Sequence, residues 1–210
     1  MKKEIKSFLS KLVIKPRLTS THTDYANFVG CSMLPSMFND KYNKVNQYIL
    51  DTRERIAGHT PPTDPVLENI ELVNSVFEPL IKALFIFKMK KEGFTIKDKQ
   101  AKAEKSFRHS SIKLSASLDG LMDINGKETI VEFKRSAISK FEKIKEFYYP
   151  QIQGQMMCTG IKTVYLVVLS KFSDELSWEK IAYDDDWRPA IEKTVKDFWS
   201  RVNTRATESF

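Results

Sequence analysis

The period of the apolar residues changes along the chain, and the changes mark its elements. Ile5, Phe8, Leu9 and Leu12 follow helical spacing, so the segment to about Arg17 reads as an amphipathic helix. A polar stretch, LTSTHTDYANFVG, leads to SMLPSMF, a short helical piece. YNKVNQYILDTRERI has apolar residues at 42, 45, 49 and 56 and predicts a helix that stops at Gly58, before the breaker-rich loop HTPPTDP. The longest helical pattern follows. Val66, Ile70, Val73, Phe77, Leu80, Leu84 and Phe87 alternate spacings of four and three, which predicts one continuous apolar face. Asp64 is placed to cap this helix, with Pro65 at its first position. Glu78 lies beside the face and before Pro79, whose missing N–H predicts a kink.

From Ile112 the period falls to two. IKLSASLDGLMDI and ETIVEFKRS read as strands, and Asn125-Gly126 between them predicts a two-residue hairpin loop. A helix is expected from near Pro150 through Gln155 to Cys158, ending at Gly160. Lys140, Lys143 and Lys145 before it read as a solvated basic loop that could also track a phosphate backbone. TVYLVVLS is apolar throughout, as in a buried central strand, and LSWEKIAYD alternates as an outer one. Asp186 caps a last helix with Pro189 in its first turn, carrying Val195, Phe198, Trp199 and Val202. The order predicts an α/β sandwich around a central mixed β-sheet flanked by helices. The expected organisation is one domain over residues 1–210, with a helical part to about residue 60 continuous with the core.

Composition narrows the functional classes. Of 210 residues, 41% are hydrophobic and 29% charged, as in soluble globular domains. No run of about 18 apolar residues exists, which argues against a membrane partner, and the Lys-interrupted N-terminus lacks a signal-peptide pattern. Cys31 and Cys158 form no C-x-x-C pair, and His22, His59 and His109 are scattered, which argues against a disulfide framework and a zinc site. With 34 Lys and Arg against 27 Asp and Glu, the net charge of +7 favours polyanions such as nucleic acid, although a basic surface can serve solubility alone.

The hairpin locates candidate chemistry. If Asn125-Gly126 is the loop, Ile124 pairs with Lys127, and the same register sets Asp119 opposite Glu132, on one face. Lys134, two residues on, shares that face. Two carboxylates are a hard-cation site for Mg2+, with Mn2+ as a substitute, and repel each other unless a cation neutralises them. A bound metal would activate water, and Lys134 could orient that water or stabilise a phosphoryl transition state. The competing reading is a salt bridge on a charged strand face.

These residues resemble the D…E-x-K core of the PD-(D/E)-x-K nucleases. SASLDGLMD, IVEFKRS, PQIQGQMMCTG and FWSRV, in that order, with FVGCSMLPSMF and NSVFEPL before them, resemble the YqaJ-type viral recombinase family of lambda exonuclease. The likeness spans about residues 28 to 202 and implies a restriction-endonuclease-like core. It implies that Asp119 and Glu132 bind metal, joined by Glu78 and the Phe133 carbonyl, that Lys134 is catalytic, that Gln151 supports the site and that Tyr148 lies there. Ser32 would sit near a bound 5′ phosphate. Leu118 stands where the family commonly has proline. The family's arginine upstream of the serine has no counterpart in Asp24-Tyr25-Ala26, which makes Arg17, Lys15 or Arg108 the candidates for that DNA contact.

The resemblance implies a metal-dependent exonuclease resecting linear double-stranded DNA ends, 5′ to 3′, for phage-type recombination. It also implies a homo-oligomer (a trimer), a single-strand annealing partner and a place in the cytoplasm of a bacterial host. The alternatives are a structure-selective or single-strand endonuclease with the same site, and a non-catalytic DNA-binding module. Gln153 and Gln155 read as a polar helix face, and Tyr149 as a core aromatic or a base-stacking ring.

Overall fold

The computed structural model describes residues 26–39, 44–61, 65–99 and 106–204. The expected N-terminal helix, the Asp64 cap and the candidates Lys15 and Arg17 lie outside them.

The Asn125-Gly126 loop forms as expected. Both residues have positive φ, 51° and 80°, the pattern of a type I′ turn that matches strand twist. It joins β5 (Gly120–Ile124) to β6 (Lys127–Ser136), with Ile124 facing Lys127 and Gly120 facing Val131. The ladder ends there. Instead of one long strand, the chain forms β4 (Leu114–Ala116), leaves that sheet at Ser117, and enters β5 at Gly120. Asp119 is therefore at the junction between two sheets, one residue beyond the β5–β6 ladder. A buried Leu118 anchors the junction beside it.

The main sheet has the order β2-β5-β6-β7-β8, where β2 is Ile96–Asp98, β7 Thr163–Ser170 and β8 Leu176–Ala182. β6 and β7 run parallel and the other pairs antiparallel, giving the expected mixed sheet. A second, three-stranded sheet, β1-β4-β3, was not legible in the periodicity, because β1 (Val29–Gly30) and β3 (Phe107–His109) are too short to alternate.

Each face of the main sheet is covered by a helix, and β6 alternates between them. Ile130, Glu132 and Lys134 face α4 (Phe141–Thr159), while Val131 and Phe133 face α3 (Pro65–Lys91). On α3 the buried stripe is Ile81, Phe85 and Met89, rotated from the expected Leu80-Leu84-Phe87 face. The segment is apolar on several sides, so its period alone could not choose the core side; the sheet chose Phe85, whose ring lies 6.4 Å from Phe133 and 5.8 Å from Trp178. Val73, expected in the core, is 45% exposed. Pro79 sits inside the assigned helix.

α4 starts nine residues before the expected Pro150, at Phe141, and ends at Gly160 with φ +74°. Pro150 lies inside it. Lys143 and Lys145 are thus helical, not a loop; Lys145 pairs with Glu142 at 2.9 Å and Glu179 at 3.1 Å. α1 (Leu34–Phe38), α2 (Lys44–Ile56) and α5 (Trp187–Thr204) pack outside α4, where Leu34, Val45, Ile49, Val195 and Phe198 share its core cluster. Arg53 on α2 donates to the carbonyls of Val202 (3.0 Å) and Arg201, closing the C-terminal end of α5.

Close approach of α4 to the 31–34 segment depends on Gly154. A Cβ there would lie 2.6 Å from Leu34 Cδ1 and 3.1 Å from Cys31 Sγ. Overpacking of that kind costs about 1–3 kcal/mol, more than the gain in helix propensity of about 1 kcal/mol. Gly154→Ala is therefore expected to lower stability by up to about 2 kcal/mol, measured by urea unfolding of the metal-free protein.

Candidate active site

Glu132 is the deepest charged group in the described structure, 1% exposed in the middle of β6. An isolated carboxylate would not stay ionised there. Three donors meet it. Gln151 Nε2 donates to Oε1 at 2.6 Å, Gln155 Nε2 donates to Oε2 at 2.7 Å, and Lys134 Nζ lies 2.5 Å from Oε1. Gln151 and Gln155 are one turn apart on α4, so a single helix face supplies both amides. Lys134 is two residues along the same strand, on the same face.

Asp119 reaches the site from the sheet junction. Its Oδ2 accepts the Phe133 backbone N–H at 3.0 Å. In a strand, the N–H and C=O of one residue point to the same side. The Phe133 carbonyl thus faces the edge that Asp119 occupies, just past the end of the β5 ladder. The sequence register placed Asp119 on the correct side of β6, but by extending a strand that stops one residue short.

Lys134 Nζ also lies 4.7 Å from the centre of the Tyr148 ring, and Tyr148 is half-buried against Phe147, edge to face at 5.0 Å. So Asp119, Glu132, Lys134, Gln151 and Tyr148 are gathered in one place. Gln155, read from sequence as a bland polar face, belongs with them; its spacing of four from Gln151 was the available signal. Gln153 does not. It is buried, but it accepts from the Asp184 N–H at 2.9 Å and donates to the Ala182 carbonyl at 3.2 Å, which ties α4 to the edge strand. Tyr149 also faces that edge, with its hydroxyl 3.4 Å from Asp184.

Three other candidates stand on other elements. Glu78 is half-buried on α3, the helix that packs on the Val131 and Phe133 side of the sheet. Among the described residues, no three His, Cys, Asp or Glu side chains converge as a metal cage. Ser32 is exposed in the middle of a 3-10 turn (Cys31–Met33), and Met33 occupies the N-cap position of α1, so Ser32 caps no helix. Arg108 is exposed on β3, with its guanidinium 5.0 Å from the Phe28 ring centre.

The two cysteines, remote in sequence, are free thiols with their sulfurs 4.0 Å apart. Burial pushes the Cys31 thiol well up, with Cys158 and the Glu132 charge adding to it. The 31–33 turn therefore sits within electrostatic reach of the site.

Burial raises the Glu132 carboxyl to about 7, and repulsion from Asp119 adds to it, against the lowering effect of Lys134 and Gln155. Burial also pulls the Lys134 ammonium down, but Glu132 and Asp119 more than offset it and hold the lysine well above its usual range. At neutral pH the lysine is a cation and Glu132 is poised. The donor set fits a hard cation: two carboxylates close enough to repel each other, one of them at the edge of β6 beside the Phe133 carbonyl.

The raised Glu132 value has a sign for stability. The folded state holds this proton up to about 7 and the unfolded state only to 4.5, so folding loses stability as pH rises between them. In chelator-treated protein, the melting temperature of Glu132→Gln relative to the parent is expected to shift in the variant's favour from pH 5 to pH 8. An unchanged difference across that range would contradict the burial argument.

The fold is shared with solved exonucleases. LHK-Exo, an alkaline exonuclease from Laribacter hongkongensis, is 20% identical in its complex with dAMP, with a TM-score of 0.62 over 87% of this chain and 91% of that one. A phage-related exonuclease from Haemophilus somnus 129PT is 12% identical, with a TM-score of 0.60 over 87% of this chain and 96% of its own. No curated protein matches the chain in sequence. The family model of the YqaJ-like viral recombinase domain matches residues 17–162, which is more than half the chain and contains every member of the gathered site. The chain belongs to the YqaJ-like viral recombinase family.

Proposed function

We propose that the protein is a divalent-metal-dependent deoxyribonuclease that hydrolyses phosphodiester bonds from the ends of linear double-stranded DNA. The observation that carries this reading is the meeting of Asp119, Glu132 and Lys134, with Glu132 buried and held on both oxygens. A merely structural salt bridge would not need a second carboxylate beside a buried one. The shared exonuclease fold, the family and the net charge of +7 support the same direction.

Asp119, Glu132 and the Phe133 carbonyl would hold the metal, Mg2+ or Mn2+. Glu78 would be a further ligand. The metal supplies Lewis-acid stabilisation of the phosphoryl oxygens and a more acidic water. The chain's own groups do the rest. Lys134, kept protonated by its two carboxylates, offers positive charge to the developing oxyanion. Gln151 fixes Oε1 of Glu132. The Tyr148 ring holds the Lys134 ammonium from its other side, by a cation–π contact. Ser32 and Arg108 are proposed contacts to the DNA backbone, outside the reaction centre. The direction of resection, 5′ to 3′, a homo-oligomeric ring and a single-strand annealing partner belong to the same proposal. So does a cytoplasmic place in a bacterial host; among the described residues no helix is long and apolar enough to cross a membrane.

Lys134→Ala is expected to lower the cleavage rate by about a hundredfold or more and to lower the melting temperature, because the buried Glu132 loses its counter-charge, while affinity for duplex stays close to the parent's. Single-turnover digestion of an end-labelled linear duplex measures the first, and fluorescence anisotropy the binding. An unchanged rate would remove Lys134 from the chemistry. Covalently closed circular duplex is expected to survive when linear duplex of the same sequence is digested. Equal loss of both would make the protein an endonuclease.

A further inference from the structure

The deepest part of the site contains a polar group that packing alone does not explain. Gln155 is fully buried, and its Nε2 donates to Glu132 Oε2, but its Oε1 is buried with no hydrogen-bond partner. Flipping the amide would not cure this, because it would aim Oε1 at the carboxylate oxygen. An unpaired buried carbonyl is costly, and native structures hold few of them. A methionine would fill the same space without an orphaned acceptor. The amide is therefore held in place by what its nitrogen does.

Counting acceptors on Glu132 shows what that is. An ionised carboxylate has about four lone-pair positions, two on each oxygen. Oε1 takes both Gln151 and Lys134, while Oε2 takes Gln155 alone. The remaining acceptor position is thus on Oε2, the oxygen that Gln155 holds.

We infer that Gln155 is a positioning residue that presents Oε2 of Glu132 to the divalent cation, dividing the work with Gln151, which fixes Oε1 for Lys134. This rests on the metal-dependent nuclease reading above. It separates two glutamines that a count of polar residues on α4 treats alike, and it sets Gln153, which serves the edge strand, outside the site.

The test is metal affinity, read without catalysis. Mn2+ binding to the full chain is followed by electron paramagnetic resonance of the free ion, for the parent, Gln155→Met and Gln153→Met. Loss of a partner that orients a ligand weakens metal binding by about tenfold to a hundredfold. Gln155→Met is expected to weaken Mn2+ at least tenfold on that scale, with the metal-free melting temperature within about 3 °C of the parent's, because loss of the bond to Oε2 is offset by removal of the orphaned Oε1. Gln153→Met is expected to do the reverse, lowering the melting temperature and leaving Mn2+ affinity unchanged. Cleavage by Gln155→Met should recover toward the parent's rate as Mn2+ is raised, whereas Lys134→Ala should not recover.

Parent-like Mn2+ affinity in Gln155→Met would overturn the inference, and so would an equal loss of affinity in Gln153→Met. If Gln155→Met does not fold, Gln155→Leu takes its place. Should both fail, the residue is structural and the inference falls. A parent protein that binds no Mn2+ would overturn the nuclease reading itself, which is a separate result from affinity that survives the loss of Gln155.

Discussion

Much of this architecture answers to one constraint, a carboxylate buried in the middle of a β-sheet. Glu132 stands where β6 would otherwise carry an aliphatic residue, between Ile130 and the solvent-facing end of the strand. Burying a charge costs several kcal/mol unless hydrogen bonds and a counter-charge replace its water. Here Gln151, Gln155 and Lys134 do so within 2.7 Å. Replacement is incomplete, since the carboxyl is still pushed to about 7. Asp119 adds to the repulsion that Glu132 already bears, so its presence does not serve stability.

That constraint reaches outward through α4. Two amides must arrive at the sheet one turn apart, so the helix has to lie close against β6. Its outer side is then crowded by the 31–34 segment, and only a glycine at 154 leaves room for Leu34 and Cys31. The N-terminal turn, α4 and the active strand are thus one packed stack. The proximity of Cys31 to Cys158, unremarkable in sequence, is a product of the same stacking.

The mixed sheet flanked by helices was legible in the sequence, and so was the proximity of most of the residues gathered around Glu132. Asn125-Gly126 is a local signal with a single good solution, and it fixed the register that brings Glu132 and Lys134 to one face. Asp119 was placed correctly although its strand was not: a three-residue excursion between sheets has no period to read. The core face of α3 was only partly legible: Phe77 and Leu84 pack against the core as expected, but apolar residues surround that helix, and the rings of Phe133, Tyr165 and Trp178 select Phe85 as its centre. Pro150 misled in the opposite way, reading as a start where the helix simply runs through it. Gln155 was visible at a spacing of four from Gln151, yet nothing local distinguishes an amide that meets a buried carboxylate from one that meets water.

The position of the site follows from sheet topology more than from the motif. β6 and β7 are the parallel pair of the main sheet, and open α/β sheets place ligands beyond the carboxyl ends of such strands. β5 stops at Gly120, and among the described residues the edge of β6 from Glu132 onward has no strand partner on that side. Asp119 fills the first step of that open edge through the Phe133 N–H, and the Phe133 carbonyl shares it. Had the β5 ladder continued, as the sequence register implied, Asp119 would sit in a strand and the carbonyl would be spent on pairing. The break in the strand is what turns two acidic residues in a hairpin into a site.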